Sequence, residues 1–255
     1  MALPTLSAWL REQPFHLALS AGFFGFFAHG GLLAALEEQG LAPASISGSS
    51  AGALIGGLWS SGISTSRIRE ELAALRRQDF WDPAPGPGLL RGALFRARVE
   101  RLLQTDSFDH TRVPFSASVF DLRALRTIVL RSGSLSTAIC ASCALPGMFH
   151  PVWIDGHPCV DGGVADRPAH AAIPAHARVL YHHLASQSPW RARAPAVPVR
   201  PHMVAVVLPG LPRPGPFHLE RGTTAFDAAR ARTRTLLDVT VDPRDGTVLR
   251  DLLTA

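Results

Sequence analysis

Residues 43–62 read PASISGSSAGALIGGLWSSG. Pro43–Ser47 is a short run suited to a buried strand, and Ser50–Ser61 reads as a helix of small residues stopped by Gly62. Between them, Gly48-Ser49-Ser50-Ala51-Gly52 fits the pattern G-x-S-x-G. A serine on a tight strand-to-helix turn is pushed toward substrate, and its neighbours must be small for the two backbones to pass. The helix after the turn aims free N–H groups at the serine, where they stabilise developing negative charge. The pentapeptide alone is weak, because small-residue turns generate it by chance. The strand before it and the small-residue helix after it give it weight.

Working upstream, Phe15–Ser20 (FHLALS) reads as a buried strand, broken by Gly22 and Gly25. Gly31–Glu38 reads as a helix with Leu32, Leu33 and Leu36 on one face and Gly40 as its C-cap. The intervening Ser20-Ala21-Gly22-Phe23-Phe24-Gly25 is a glycine-rich turn. Such a turn either presents backbone N–H groups to an oxyanion or simply uses glycine where φ is positive. Leu17–Leu36 is also long enough to span a bilayer. Ser20, His29 and four glycines interrupt it, and Arg11 and Glu12 cancel ahead of it, so strand, turn and helix is the better reading than a membrane anchor. Residues 1–14 read as a polar lead-in.

Downstream, Thr65–Arg77 reads as an amphipathic helix, residues 82–88 (DPAPGPG) as a loop, and Leu89–Leu103 as an arginine-rich helix. Phe115–Asp121 and Arg126–Leu130 read as strands, and Leu135–Leu145 as a helix ended by Pro146 and Gly147. Val152–Asp155 and His157–Val160 form two arms about an Asp-Gly turn. Arg178–His183 and Val204–Leu208 read as strands, Gln187–Arg200 as a surface loop, and Thr223–Leu237 as a helix. Strands alternating with helices predict an α/β fold, a three-layer α/β/α sandwich around a mainly parallel sheet. The length of 255 residues suits a single domain over residues 15–255.

Apolar residues make up 47% and charged residues 18%, which excludes a disordered chain. The net charge of +5 is mostly arginine, spread over several segments. Charge spread in this way reads as solvated helix faces, with attraction to anionic lipid as the functional reading and nucleic acid not expected as a partner. Cys140, Cys143 and Cys159 make no disulfide framework and no zinc spacing, so they read as small buried residues in a reducing, cytoplasmic setting. No metal or organic cofactor is expected.

A serine nucleophile needs a base. Asp161-Gly162-Gly163 follows an apolar arm, and its glycines let the chain turn sharply and leave the carboxylate at a rim. Asp155 and Asp166 lie nearby, and local chemistry does not choose among the three. A histidine triad is the alternative, with His29 and His150 as candidates.

Five stretches together resemble the patatin-like phospholipase family. Leu17–Leu36 is similar to its first strand, glycine-rich loop and helix, and Ile46–Gly62 to its nucleophile elbow. Phe108–Leu122 is similar to a central strand, Ala141–Gly156 to the segment before the catalytic aspartate, and Val160–Ala169 to the aspartate motif. The resemblance covers residues 15–185 and implies a Ser–Asp dyad without a catalytic histidine. Ser50 would attack an ester carbonyl and Asp161, at the motif position, would take its proton. The backbone amides of Gly22, Phe23 and Ala51 would hold the oxyanion. The implied substrate is a lipid or simpler acyl ester, with peripheral membrane contact. One departure stands out: the family's loop carries an arginine where this chain has Gly25. Phospholipid preference is therefore open, and Phe23, Phe24, Phe26 and Phe27 read either as an acyl pocket or as ordinary core. The same departure allows a second reading, a patatin-like lipid-binding protein that has lost activity.

Overall fold

The computed structural model describes residues 3–185 and 196–250. Its strands are β1 (His16–Leu19), β2 (Ser45–Ser49), β3 (Gly88–Leu90), β4 (Phe115–Asp121), β5 (Arg126–Leu130), β6 (Gly147–Phe149), β7 (Val152–Ile154), β8 (His157–Asp161), β9 (Val179–His183), β10 (Met203–Val207) and β11 (Thr247–Arg250). Its helices are α1 (Leu6–Glu12), α2 (Phe26–Glu38), α3 (Ala51–Ser60), α4 (Thr65–Ala73), α5 (Ala93–Leu102), α6 (Leu135–Ser142) and α7 (Arg221–Leu236).

A central sheet runs β11-β10-β9-β1-β2-β4-β8-β7, with β5 also paired to β4. From β11 to β4 every pairing is parallel, while β5, β8 and β7 pair antiparallel. Helices flank this sheet in a mixed α/β architecture. The strands are buried on both faces, as parallel sheets require. Leu17, Leu19, Ile46, Leu180, Val204 and Val206 face the main core, which also holds Leu32, Leu33, Leu36, Ile55 and Leu58 from α2 and α3. The alternate residues Ala18, Val179, Tyr181, Met203 and Ala205 pack on the other side with Ile173, Ala177 and Val248. Each fully buried leucine, isoleucine or valine contributes about 1.5–3 kcal/mol.

The strand, turn and helix expected over Leu17–Leu36 are present, and among the described residues no helix is long and apolar enough to cross a membrane. Helix α2 begins at Phe26, earlier than its glycines suggest. Those glycines are a packing device: a Cβ on Gly31 would sit 2.2 Å from the Phe226 carbonyl of α7, so glycine is what lets α2 and α7 touch.

Within the lead-in expected over residues 1–14, residues 6–12 form a helix. Instead of a polar lead-in, α1 buries Leu6, Trp9 and Leu10, capped by the Thr5 side chain. Their i, i+3, i+4 spacing is a helical stripe, which the flanking Arg11, Glu12 and Gln13 mask in composition. The helix expected over Leu89–Leu103 is also shorter. Gly92 takes φ 81° and starts α5 at Ala93, and the chain before it forms β3 against β6. Asp82 receives the N–H groups of Gly92, Ala93 and Leu94 and so fixes this start. The loop expected over Gln187–Arg200 lies largely outside the described residues, and its described part, residues 196–200, has no regular structure.

Candidate active site

Ser50 sits between β2 and α3 with φ 53° and ψ −118°. A non-glycine residue at positive φ stores about 1–3 kcal/mol and persists only where its surroundings hold it. The hold is visible. The Ser50 N–H donates to Ser142 Oγ at 2.9 Å, whose own hydroxyl donates to the Ser118 carbonyl at 2.7 Å. The Cys143 thiol donates to the Ser50 carbonyl at 3.2 Å. The end of α6 thus grips the peptide units on both sides of Ser50. Neither Ser142 nor Cys143 carries a sequence signal of its own beyond lying in the Ala141–Gly156 stretch.

The glycines of the pentapeptide are steric. A Cβ on Gly52 would lie 2.1 Å from the Leu19 carbonyl oxygen of β1, and one on Gly48 about 2.5 Å from the Gly52 carbonyl. Because the obstacle is backbone, it cannot swing aside. Gly52→Ala is expected to destabilise the protein by about 3 kcal/mol or more. Chemical denaturation reads this as a lower midpoint at unchanged m-value.

Asp161 ends β8, at the same edge as the carboxyl ends of β1 and β2. Ser50 Oγ donates to Asp161 Oδ2 at 2.6 Å, and the Gly163 N–H donates to Oδ1 at 2.7 Å. The carboxylate is buried, with 4% of its surface exposed. Burial pushes its pKa up to about 6, against the opposing pull of the Ser50 hydroxyl, the Gly163 amide and the Arg167 guanidinium. The structure therefore separates the three aspartates. Asp166 accepts from Ser118 Oγ and from the His170 and Ala171 amides, which makes it a structural anchor. Asp155 is exposed on the β7–β8 turn. Among the described residues no histidine hydrogen-bonds to Ser50 or Asp161. His150 bonds the Gly88 carbonyl instead.

The loop between β1 and α2 lies against this pair: a Cβ on Gly163 would be 2.6 Å from the Ala21 Cβ. The Ala21 N–H is taken by the Arg167 carbonyl, and the Gly25 N–H by the Gly22 carbonyl. The N–H groups of Gly22 and Phe23 have no hydrogen-bond partner among the described residues, and the Ala51 N–H, first in α3, has none either. The arginine absent at Gly25 leaves no gap. A Cβ there would sit 2.1 Å from Leu184 Cδ1, and Arg167 donates to the Leu184 carbonyl at 2.8 Å. Arg167, from the aspartate turn, so braces the segment that fills the space.

The four loop phenylalanines do not form one pocket. Phe27 is core, packed on Phe226, and Phe24 and Phe26 are half-buried against it. Phe23 is 38% exposed and stacks edge-on to Phe24, whose ring lies 6.0 Å from Phe80. Next in the chain, Trp81 meets Phe217, and Arg77 lies over both rings.

Behind the loop, His29 of α2 and His182 of β9 face each other in full burial, Nδ1 to Nδ1 at 2.9 Å, while His29 Nε2 contacts the Ser20 carbonyl at 2.8 Å. The carbonyl can only accept, so His29 carries its proton on Nε2 and receives one from His182 Nδ1. His182 Nε2 is left bare, with no partner among the described residues. Burial lowers the pKa of both rings, that of His29 to about 4.

Known proteins resemble this chain in sequence and in fold. The family model described as "Patatin-like phospholipase" matches residues 17–173. An NTE family protein of Mycobacterium tuberculosis is 31% identical over 153 residues, which is 59% of this chain and 42% of that protein. Patatin-like phospholipase domain-containing protein 6 of Homo sapiens is 29% identical over 167 residues, 62% of this chain and 12% of that protein. The chain therefore spans less than half the length of these relatives. Among solved structures, VipD from Legionella pneumophila superposes with a TM-score of 0.53 over 88% of this chain and 67% of that one, at 13% identity, a likeness of fold. The family model spans more than half of the chain, and the elbow, the glycine loop and the aspartate turn all fall inside it, so the chain belongs to the patatin-like phospholipase family.

Proposed function

We propose that the protein is a serine acyl hydrolase that cleaves carboxylic esters of lipids through an acyl-enzyme on Ser50. The observation that carries this is the 2.6 Å hydrogen bond from Ser50 Oγ to the buried Asp161 carboxylate. In this reading Oγ attacks the ester carbonyl as its proton passes to Asp161 Oδ2. The free N–H groups of Gly22, Phe23 and Ala51 are the candidate donors to the oxyanion. The proton then goes to the leaving alcohol. Asp161, again ionised, deprotonates a water that frees the acyl group. A base that titrates near pH 6 is ionised at neutral pH yet still basic enough to share a proton.

The test is a fluorophosphonate probe. Active-site labelling mapped by mass spectrometry is expected at Ser50 alone. A folded protein that takes no label supports the inactive, lipid-binding reading instead, which the missing loop arginine motivates.

Contact with a bilayer forms part of the proposal. Phe23 is 38% exposed and Phe217 65% exposed. Phe23, Phe24 and Phe80 form one row of rings, and Trp81, next in the chain, pairs with Phe217 under the exposed Arg77. Aromatic rings with a cation suit the interface of an anionic membrane. Sedimentation with anionic vesicles at low salt is expected to pull down the protein. Arg77→Glu should weaken binding about fivefold or more. Equal binding to neutral vesicles would count against this surface.

A further inference from the structure

A cavity of about 290 Å³ opens beside α6 and the β6–β7 segment. It is lined by Arg91 from the turn between β3 and α5, by Phe95 and Arg96 from the start of α5, by Cys140 and Ala144, and by Phe149, His150 and Trp153 among others. Its cations are unevenly committed. The Arg91 side chain has no hydrogen bond or ion pair among the described residues. Arg96 donates to Thr137 Oγ1 at 3.1 Å and lies 3.8 Å from Glu100, a loose ion pair. The nearby Asp82 carboxylate accepts three backbone amides and makes no ion pair with Arg91. His150 Nε2 is occupied by the Gly88 carbonyl at 3.1 Å. The remaining wall is apolar: Phe95 and Phe149 rings pair at 5.9 Å, and Trp153 stands 68% exposed.

Two guanidinium groups beside an aromatic floor match one kind of ligand. We propose that this cavity binds an amphiphile with an anionic head, a carboxylate or a phosphate. The head pairs with Arg91 and Arg96, and the chain lies on Phe95, Phe149 and Trp153. The shared wall gives the site a route to the nucleophile. Cys140 and Ala144 line the cavity, while the residues between them and beside them hold the dyad. Ser142 and Cys143 grip Ser50, and the Ala144 carbonyl accepts the Asp161 N–H at 3.0 Å. Binding itself needs neither Ser50 nor Asp161, so it goes beyond the hydrolase reading.

Laurate and dodecyl phosphate test this below their micelle-forming concentrations, with dodecyltrimethylammonium as the cationic control. None is a carboxylic ester, so turnover does not enter. Calorimetry is expected to show one site for an anionic probe, and the tighter of the two names the head group. Arg91→Gln, which breaks no side-chain contact, should weaken it about tenfold or more. Trp153→Phe should remove the accompanying fluorescence change. Ser50→Ala should bind as the wild type does, and loss of binding there would move the ligand into the dyad's cleft and overturn the proposal. Equal binding of the cationic probe, affinity unchanged in Arg91→Gln, or binding of neither anion would overturn it as well.

Discussion

Ser50→Ala is expected to lower hydrolysis of short p-nitrophenyl esters by about 10⁴-fold or more, with the fold intact. In the proposed mechanism Ser50 Oγ forms the acyl bond, and it is the hydroxyl that donates to Asp161. The backbone around it is held by Ser142 and Cys143 through main-chain atoms, which alanine keeps. Ser50→Gly makes the prediction sharper. Both variants lose the reaction, but glycine accepts φ 53° without strain, whereas alanine inherits it. Thermal unfolding should place the glycine variant above the alanine variant by about 1 kcal/mol. Hydrolysis persisting in either variant at more than a hundredth of the wild-type rate would remove Ser50 from the mechanism.

Asp161→Asn should lower kcat by about 10³-fold, in line with the loss of a general base. It should also make the protein more stable at neutral pH. The physical reason is burial: a carboxyl moved from its ordinary value near 3.8 to about 6 is disfavoured in its ionised form. The sign comes from proton counting. Between pH 4 and 6 the folded protein holds a proton that the unfolded chain has released, so stability is lost as pH rises through 6. Above that, ionised Asp161 costs about 3 kcal/mol, an upper figure that asparagine escapes. Activity runs the other way, rising with pH through about 6 as the base ionises. The measurement is a pH–rate profile beside denaturant curves at pH 8. A wild-type profile flat from pH 5 to 8, or an asparagine variant less stable at pH 8, would contradict the assigned state of Asp161.

The elbow and the strands Phe115–Asp121 and Arg126–Leu130 were legible because each is a local pattern, a steric pentapeptide or a period of two, whereas the choice of Asp161 over Asp155 and Asp166 rested on the family resemblance. Residues whose role depends on distant segments were not. Ser142 is one serine among many until β4 and the elbow meet it. Leu184 fills the space at Gly25 through a contact that no spacing in either segment announces. Helix α1 had its signal in Leu6, Trp9 and Leu10, outweighed by the polar residues after them. The strand β11 lies past the last expected element and gains its order from pairing with β10. The arginine-lined cavity draws on segments too far apart to be read together.

The facing imidazoles of His29 and His182 hold two ring protons when neutral, one on His29 Nε2 and one between the two Nδ1 atoms. A third would charge His182 at its buried Nε2, which has no partner among the described residues. In acid the unfolded chain charges both rings freely, while the folded one must either refuse the proton or set a cation against its neighbour at 2.9 Å. With their affinities held below the ordinary histidine value, the native state surrenders stability as pH falls from about 6.5 toward 4. That opposes the trend set by Asp161. The seam they close joins β9, α2 and Ser20 at the start of the glycine loop. Burial lowers the pKa of His16, His170 and His183 to about 4 as well. This pair is thus one of several sources of acid sensitivity, and the one that lies beneath the donors that would steady an oxyanion.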